Sequence, residues 1–166
     1  VSHKGKILYE LDHGDGADGG YVLGAGKSII SSVTPREGES SYEGRREMLE
    51  RIYPEHTISL LETPSEVDSS HVDLFVLPIP QRKSLVVDER LYQNNTHVIN
   101  GICDREGYKL IPISSRNQFP CNTLIYGEGR EFLAICPKNN EIEKILGELN
   151  IRVESVDVGA NCLEGG

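Results

Sequence analysis

Ser69-Ser70-His71-Val72-Asp73 is a short polar stretch that opens onto the apolar run Leu74-Phe75-Val76-Leu77. Alternate residues of a strand share a face, so His71 and Asp73 are expected side by side at a strand start, with Val72 turned away. An imidazole moves protons near neutral pH, and a carboxylate beside it can orient the ring or hold a cation. Two further loops carry groups of the same kind. Ala17-Asp18-Gly19-Gly20-Tyr21 offers a second carboxylate, and Gly159-Ala160-Asn161-Cys162-Leu163 a thiol. Taken singly, an Asp among glycines is turn chemistry and a cysteine is a small buried residue, as Cys103, Cys121 and Cys136 read here. Gathered on one face, a carboxylate, the His71 imidazole and the Cys162 thiol suit nucleophilic catalysis: the thiolate attacks, His71 transfers protons and one carboxylate, Asp18 or Asp73, orients the ring. The other carboxylate is then free to bind substrate. A free carboxylate fits a cation, and a planar guanidinium offers it two parallel hydrogen bonds.

The elements that must position these residues repeat along the chain. Three stretches, beginning at Tyr21, Phe75 and Leu124, each read as an apolar run, a Gly/Pro turn, a basic residue and a second apolar run. That is a hairpin pattern. After the first hairpin, Met48, Leu49 and Ile52 fall at helical spacing within Glu43–Tyr53, Pro54 stops the helix, and Thr57–Leu61 reads as a strand. After the second, a short helical turn over Asp88–Asn95 and a strand over Tyr108–Ile113 are expected. After the third, Asn140 caps a helix with Ile142, Ile145, Leu146 and Leu149 on one face, before a strand at Ile151–Val156. The unit is ββαβ, over residues 18–61, 71–113 and 121–156, within a single α/β domain spanning 1–166. Lys6–Leu11 reads as the closing strand of a preceding unit. The loops over 12–19, 62–70, 114–120 and 157–164 are equivalent, and in a repeat architecture equivalent loops share one face. Asp18, His71, Asp73 and Cys162 are therefore expected to converge.

Composition narrows the partners. The 166 residues carry a net charge of −9, which argues against nucleic acid and favours a small cationic ligand. No window has the length and apolarity of a membrane span. The four cysteines form no C-x-x-C pair, so no metal, redox pair or other cofactor is expected, and a reducing, cytoplasmic setting fits.

The repeat and its loop residues together resemble the guanidine-modifying superfamily, the pentein or amidinotransferase-like fold. It includes arginine deiminase, agmatine deiminase, dimethylarginine dimethylaminohydrolase and the glycine amidinotransferases. The segment ending Ala17-Asp18-Gly19-Gly20-Tyr21-Val22-Leu23 is similar to the family's L-D/E-G-G-D-V-L stretch, which implies that Asp18 is the triad carboxylate. His71-Val72-Asp73 is similar to its H-x-D stretch, which implies that His71 is the general acid/base and Asp73 the guanidinium clamp. Cys121-Asn122-Thr123-Leu124 resembles its N-x-L hairpin start. Two departures concern the site: Tyr21 stands where an acid usually follows Gly-Gly, and no unit precedes Val1. A third concerns the nucleophile. Gly159–Leu163 resembles a G-x-x-C-L nucleophile segment, yet by repeat register Cys162 comes a few residues early, which leaves open a nucleophile beyond Gly166. A closed ring of five units needs roughly 250 residues. The expectation is therefore an incomplete pentein α/β propeller of about three units, prone to self-association or to pairing with the missing units. The resemblance implies a deiminase-type hydrolase acting on arginine, agmatine or a related guanidino compound through a covalent thiouronium. The alternative is a non-catalytic, protein-binding member of the fold.

Overall fold

The computed structural model describes residues 20–34, 38–67, 69, 71–114, 119–128 and 131–157. Its elements run β1 (Val22–Ala25), β2 (Ser28–Val33), α1 (Gly38–Ile52) and β3 (Thr57–Glu62). They continue with β4 (Val76–Ile79), β5 (Ser84–Asp88), α2 (Glu89–Glu106) and β6 (Lys109–Ile113), then β7 (Leu124–Glu128), β8 (Glu131–Pro137), α3 (Asn140–Glu148) and β9 (Arg152–Val156). Lys6–Leu11 lies outside the described residues.

Among the described residues, nine strands form three sheets of three, in the orders β1-β2-β3, β4-β5-β6 and β7-β8-β9. Within each sheet the first two strands form an antiparallel hairpin, with Leu23 opposite Ile30, Leu77 opposite Val86 and Ile125 opposite Ala134. A helix then returns the chain so that the third strand lies parallel to the second, with Ile30 beside Ser59, Val86 beside Ile111 and Ala134 beside Val153. Short loops suffice for the hairpins, whereas a parallel pair needs the helical crossover. The fold is α/β and built from repeated ββαβ units.

The central sheet shows why alternation matters. Val76, Leu85 and Val87 pack into one core with Ile30, Leu61, Phe75, Leu91, Ile99 and Ile102, which joins the first and second units. Leu77, Ile79 and Val86 point the other way, into a second core with Ile113, Ala134, Ile142 and Leu146, which joins the second and third. A sheet buried on both faces requires the nearly continuous apolar runs found at 75–79 and 85–87.

Polar contacts tie neighbouring units at matching places. The hairpin turn of the first unit meets the end of α2: the Glu106 carboxylate accepts from the Lys27 backbone N–H at 3.1 Å and from Ser28 Oγ at 2.7 Å. The turn of the second meets the end of α3, where Arg82 donates to the Leu149 and Asn150 carbonyls at 2.7 and 3.3 Å.

Two local expectations are corrected. The segment after β5 is an 18-residue helix, α2, rather than a turn over Asp88–Asn95. Asn95 leaves helical geometry (φ −126°, ψ 22°), and that irregularity hides the helix from a periodicity search. The buried side chain bridges instead of breaking: it accepts from the Glu62 N–H at 2.9 Å and donates to the Glu62 and Leu91 carbonyls at 2.8 and 2.9 Å. The helix runs on to Gly107, whose left-handed φ of 64° ends it. At α3 the capping residue is Asn139, whose side chain accepts from the Glu141 and Ile142 N–H groups, and Asn140 is the first helical residue.

Candidate functional site

His71 and Asp73 do not begin a strand. Val72–Leu74 form one turn of 3-10 helix, and the β4 ladder starts only at Val76 opposite Val87. The cause is packing. Val72 and Phe75 are both fully buried, a three-residue spacing that a 3-10 turn satisfies and strict alternation does not. The turn is closed by Phe75 N–H donating to the Val72 carbonyl at 3.0 Å. It is joined to β5 by Asp88 N–H donating to the Phe75 carbonyl at 2.8 Å. Ser69 Oγ accepts the His71 N–H at 3.2 Å, which fixes the approach to the turn.

The pair still meets, by a different route. His71 Nδ1 lies 4.0 Å from Asp73 Oδ1, with both side chains 31% exposed. Gly20 lies against them. A Cβ there would come within 2.3 Å of His71 Nδ1 and 2.8 Å of Asp73 Oδ1, so any other residue requires these side chains to shift. Its carbonyl accepts the Asp73 N–H at 3.3 Å. The next residue, Tyr21, sets its ring 4.4 Å from the imidazole, centroid to centroid, at a tilt of 54°. At the far side of the turn, Phe119 meets Phe75 edge-on at 5.8 Å. The described ends of the loops before β1, β4 and β7 thus come together around one turn.

The electrostatics of the corner are unbalanced. Asp73 Oδ1 is buried and has no hydrogen-bond partner among the described residues. Burial pushes the Asp73 carboxyl above the usual range, against weaker opposite pulls from His71 and from the backbone N–H groups of Leu74 and Asp73 itself. A buried carboxylate oxygen without a hydrogen bond is costly for the fold alone and becomes favourable once a cation arrives.

Of the other sequence candidates, Asp18 and Cys162 lie outside the described residues. Cys103, Cys121 and Cys136 are free and buried. Burial raises the pKa of each thiol, which disfavours the nucleophilic thiolate. Among the described residues no three His, Cys, Asp or Glu side chains are grouped to hold a metal ion, and no helix is long and apolar enough to cross a membrane. Gly20, Tyr21 and Ser69 are site residues that sequence reasoning left without a role. The Gly-Gly pair and the unexpected tyrosine were visible signals, but their contact with His71 joins residues 50 positions apart.

No protein-family model matches the sequence, and no curated protein matches it. Solved structures do. A DDAH from Pseudomonas aeruginosa superposes with a TM-score of 0.59 at 14% identity, over 89% of this chain and 51% of that one. The N-terminal domain of ArgZ, a cyanobacterial arginine dihydrolase, gives 0.57 at 15% identity over 82% and 47%. The chain has the pentein fold. A third pentein, the amidinotransferase SxtG from Microseira wollei, gives 0.51 at 15% identity over 82% of this chain and 39% of that one. The chain spans about half the length of the first two penteins.

Proposed function

We propose that this chain carries the guanidinium-binding and proton-transfer part of a guanidino-group hydrolase. The observation that carries the proposal is the buried, unpartnered Asp73 Oδ1 held 4.0 Å from His71 Nδ1. A guanidinium placed against Asp73 supplies the missing donors and balances the charge. Structural neighbours support the chemical class: they include an arginine dihydrolase and an amidinotransferase, and the Pseudomonas aeruginosa DDAH is bound to citrulline, a ureido compound.

The mechanism assigns each residue one task. Cys162, whose segment resembles a G-x-x-C-L nucleophile stretch, is assigned the nucleophile's task in this proposal; Cys103, Cys121 and Cys136 are buried with raised pKa values, which suits them less to it. His71 takes the thiol proton, and the thiolate attacks the guanidinium carbon. The imidazolium then protonates the departing nitrogen, the C–N bond breaks, and a thiouronium remains on sulfur. His71 next accepts a proton from water as the oxygen adds to that carbon. The C–S bond breaks, His71 returns its proton to sulfur, and the last proton leaves with ammonia as ammonium. A ureido product results. Asp18 holds His71 in the productive tautomer, and Asp73 keeps the cation in place throughout.

The test uses 2-chloroacetamidine, an amidinium that alkylates a thiolate with loss of chloride, followed by mass spectrometry of tryptic peptides. The expected result is label on Cys162, lost in His71→Ala, together with ureido product from arginine or agmatine. Equal slow labelling of all four cysteines without any such product overturns the proposal in favour of a non-catalytic binding module.

A further inference from the structure

We infer that Tyr21 is a positioning residue for His71. The inference rests on the proposed reaction and adds a residue to which no role had been given. Tyr21 follows the glycine that touches both site residues, and its ring is the aromatic group against the imidazole, at 4.4 Å. Its placement is fixed from behind. Ser31 Oγ, fully buried on β2, donates to the Tyr21 carbonyl at 2.6 Å. The Arg45 guanidinium, from α1, lies 5.6 Å from the Tyr21 ring centroid. Arg45 is itself anchored by donating from Nη1 to the carbonyl of buried Ser32. Helix α1 and strand β2 thus contact Tyr21 at its ring and its backbone, behind the face that meets the imidazole.

The chemistry follows from what a tyrosine ring can do there. An imidazole that must accept a proton at one step and return it at the next needs a fixed plane. Carboxylates fix that plane through a hydrogen bond; a tilted aromatic contact fixes it through shape and through the attraction of the ring face for an imidazolium. The contact is one of ring against ring, and among the described residues no hydrogen bond joins the phenol hydroxyl to His71. Phenylalanine should therefore replace tyrosine, whereas leucine, which fills space without a flat face, should not.

The test measures inactivation by 2-chloroacetamidine in the full chain, separating the maximal rate kinact from the half-saturating concentration KI. Tyr21→Leu is expected to lower kinact by about tenfold to a hundredfold with KI within about twofold, because Asp73 still binds the amidinium. Tyr21→Phe is expected to keep kinact within about twofold. A second readout does not depend on the reaction: the His71 ring-proton resonances should lose the aromatic ring-current shift in Tyr21→Leu and keep it in Tyr21→Phe. Equal kinact in the leucine variant and the parent overturns the positioning role while the hydrolase proposal stands. His71 resonances indifferent to Tyr21→Leu overturn the contact itself. A parent chain that never labels at Cys162 overturns the hydrolase proposal and the positioning role with it.

Discussion

Asp73 and Asp88, two carboxylates of the second unit, are treated in opposite ways. Asp88, 1% exposed, caps α2 by accepting from the Arg90 N–H at 2.8 Å. It also takes Arg90 Nε on Oδ1 at 3.1 Å and Nη2 on Oδ2 at 3.0 Å. Both of its oxygens are engaged by a guanidinium from the chain itself. Asp73, 31% exposed, has a buried oxygen with no partner among the described residues. Asp88 shows how this fold satisfies a carboxylate when the purpose is stability: an arginine two residues on grips it from both sides. Asp73 presents the same chemistry with the guanidinium left out. The contrast supports reading Asp73 as a seat for a guanidinium from outside.

The largest effect that could break the comparison is on reactivity. Asp73→Asn keeps the shape of the side chain and removes the charge that holds the amidinium. The expected loss in kinact/KI with 2-chloroacetamidine is about 100- to 1,000-fold, the size seen when one partner of a close charge pair is removed. Asp88→Asn, measured on the folded fraction, should leave kinact/KI within about threefold, because Asp88 is committed to Arg90. Equal losses in the two variants would erase the distinction between them.

Stability should divide the pair the other way. Asp88→Asn leaves a helix cap but uncouples Arg90, and unfolding in urea should show a loss of about 1–3 kcal/mol. Asp73→Asn should show no loss at neutral pH. A matching destabilisation there would mean that Asp73 has a structural partner.

The two sites were not equally legible in sequence. Hairpins and the ββαβ repeat were readable because apolar runs and turn residues are local: Phe75–Val87 shows an apolar run, a Pro turn and a second apolar run, which the structure makes β4 and β5. Helix α2 was readable only to Asn95, because the residue that would end an ordinary helix here bridges to β3. His71 and Asp73 could be named from residue type and spacing. Their geometry could not, since the burial of Val72 and Phe75 turns the segment into a 3-10 helix. Gly20, Tyr21 and Arg45 reach the site from another unit, and contacts of that range leave no mark on local pattern.

Gly20 sharpens the comparison at smaller scale, because the close approach around Asp73 depends on it. Gly20→Ala puts a methyl group 2.3 Å from His71 Nδ1, so the imidazole must move. Displacing a proton-transfer group by a fraction of an ångström should cost about tenfold or more in kinact. The amidinium seat suffers less than in Asp73→Asn, because the carboxylate charge remains. An alanine variant as reactive as the parent would show that His71 has room to adjust.

The smallest effect is a pH dependence of stability, and its sign follows from the corner's imbalance. Burial raises the Asp73 pKa in the folded chain above its value in the unfolded chain, about 3.9. The folded state therefore holds the Asp73 proton more tightly than the unfolded state does. Stability from this group is fully present below pH about 3.9 and is lost as pH rises through the higher folded value. At pH 7 the parent carries an ionised, half-buried carboxylate, which Asp73→Asn does not. The variant should be more stable than the parent there, with the difference vanishing towards pH 3. Guanidinium-bearing ligands should close the gap at pH 7 by raising the parent's urea midpoint and leaving the variant's unchanged, because only the parent presents a charge for them to balance. Urea unfolding of both proteins across pH 3–8, with and without millimolar agmatine at pH 7, measures both changes. A variant less stable than the parent at pH 7, or stabilised equally by agmatine, would show that Asp73 resembles Asp88 after all.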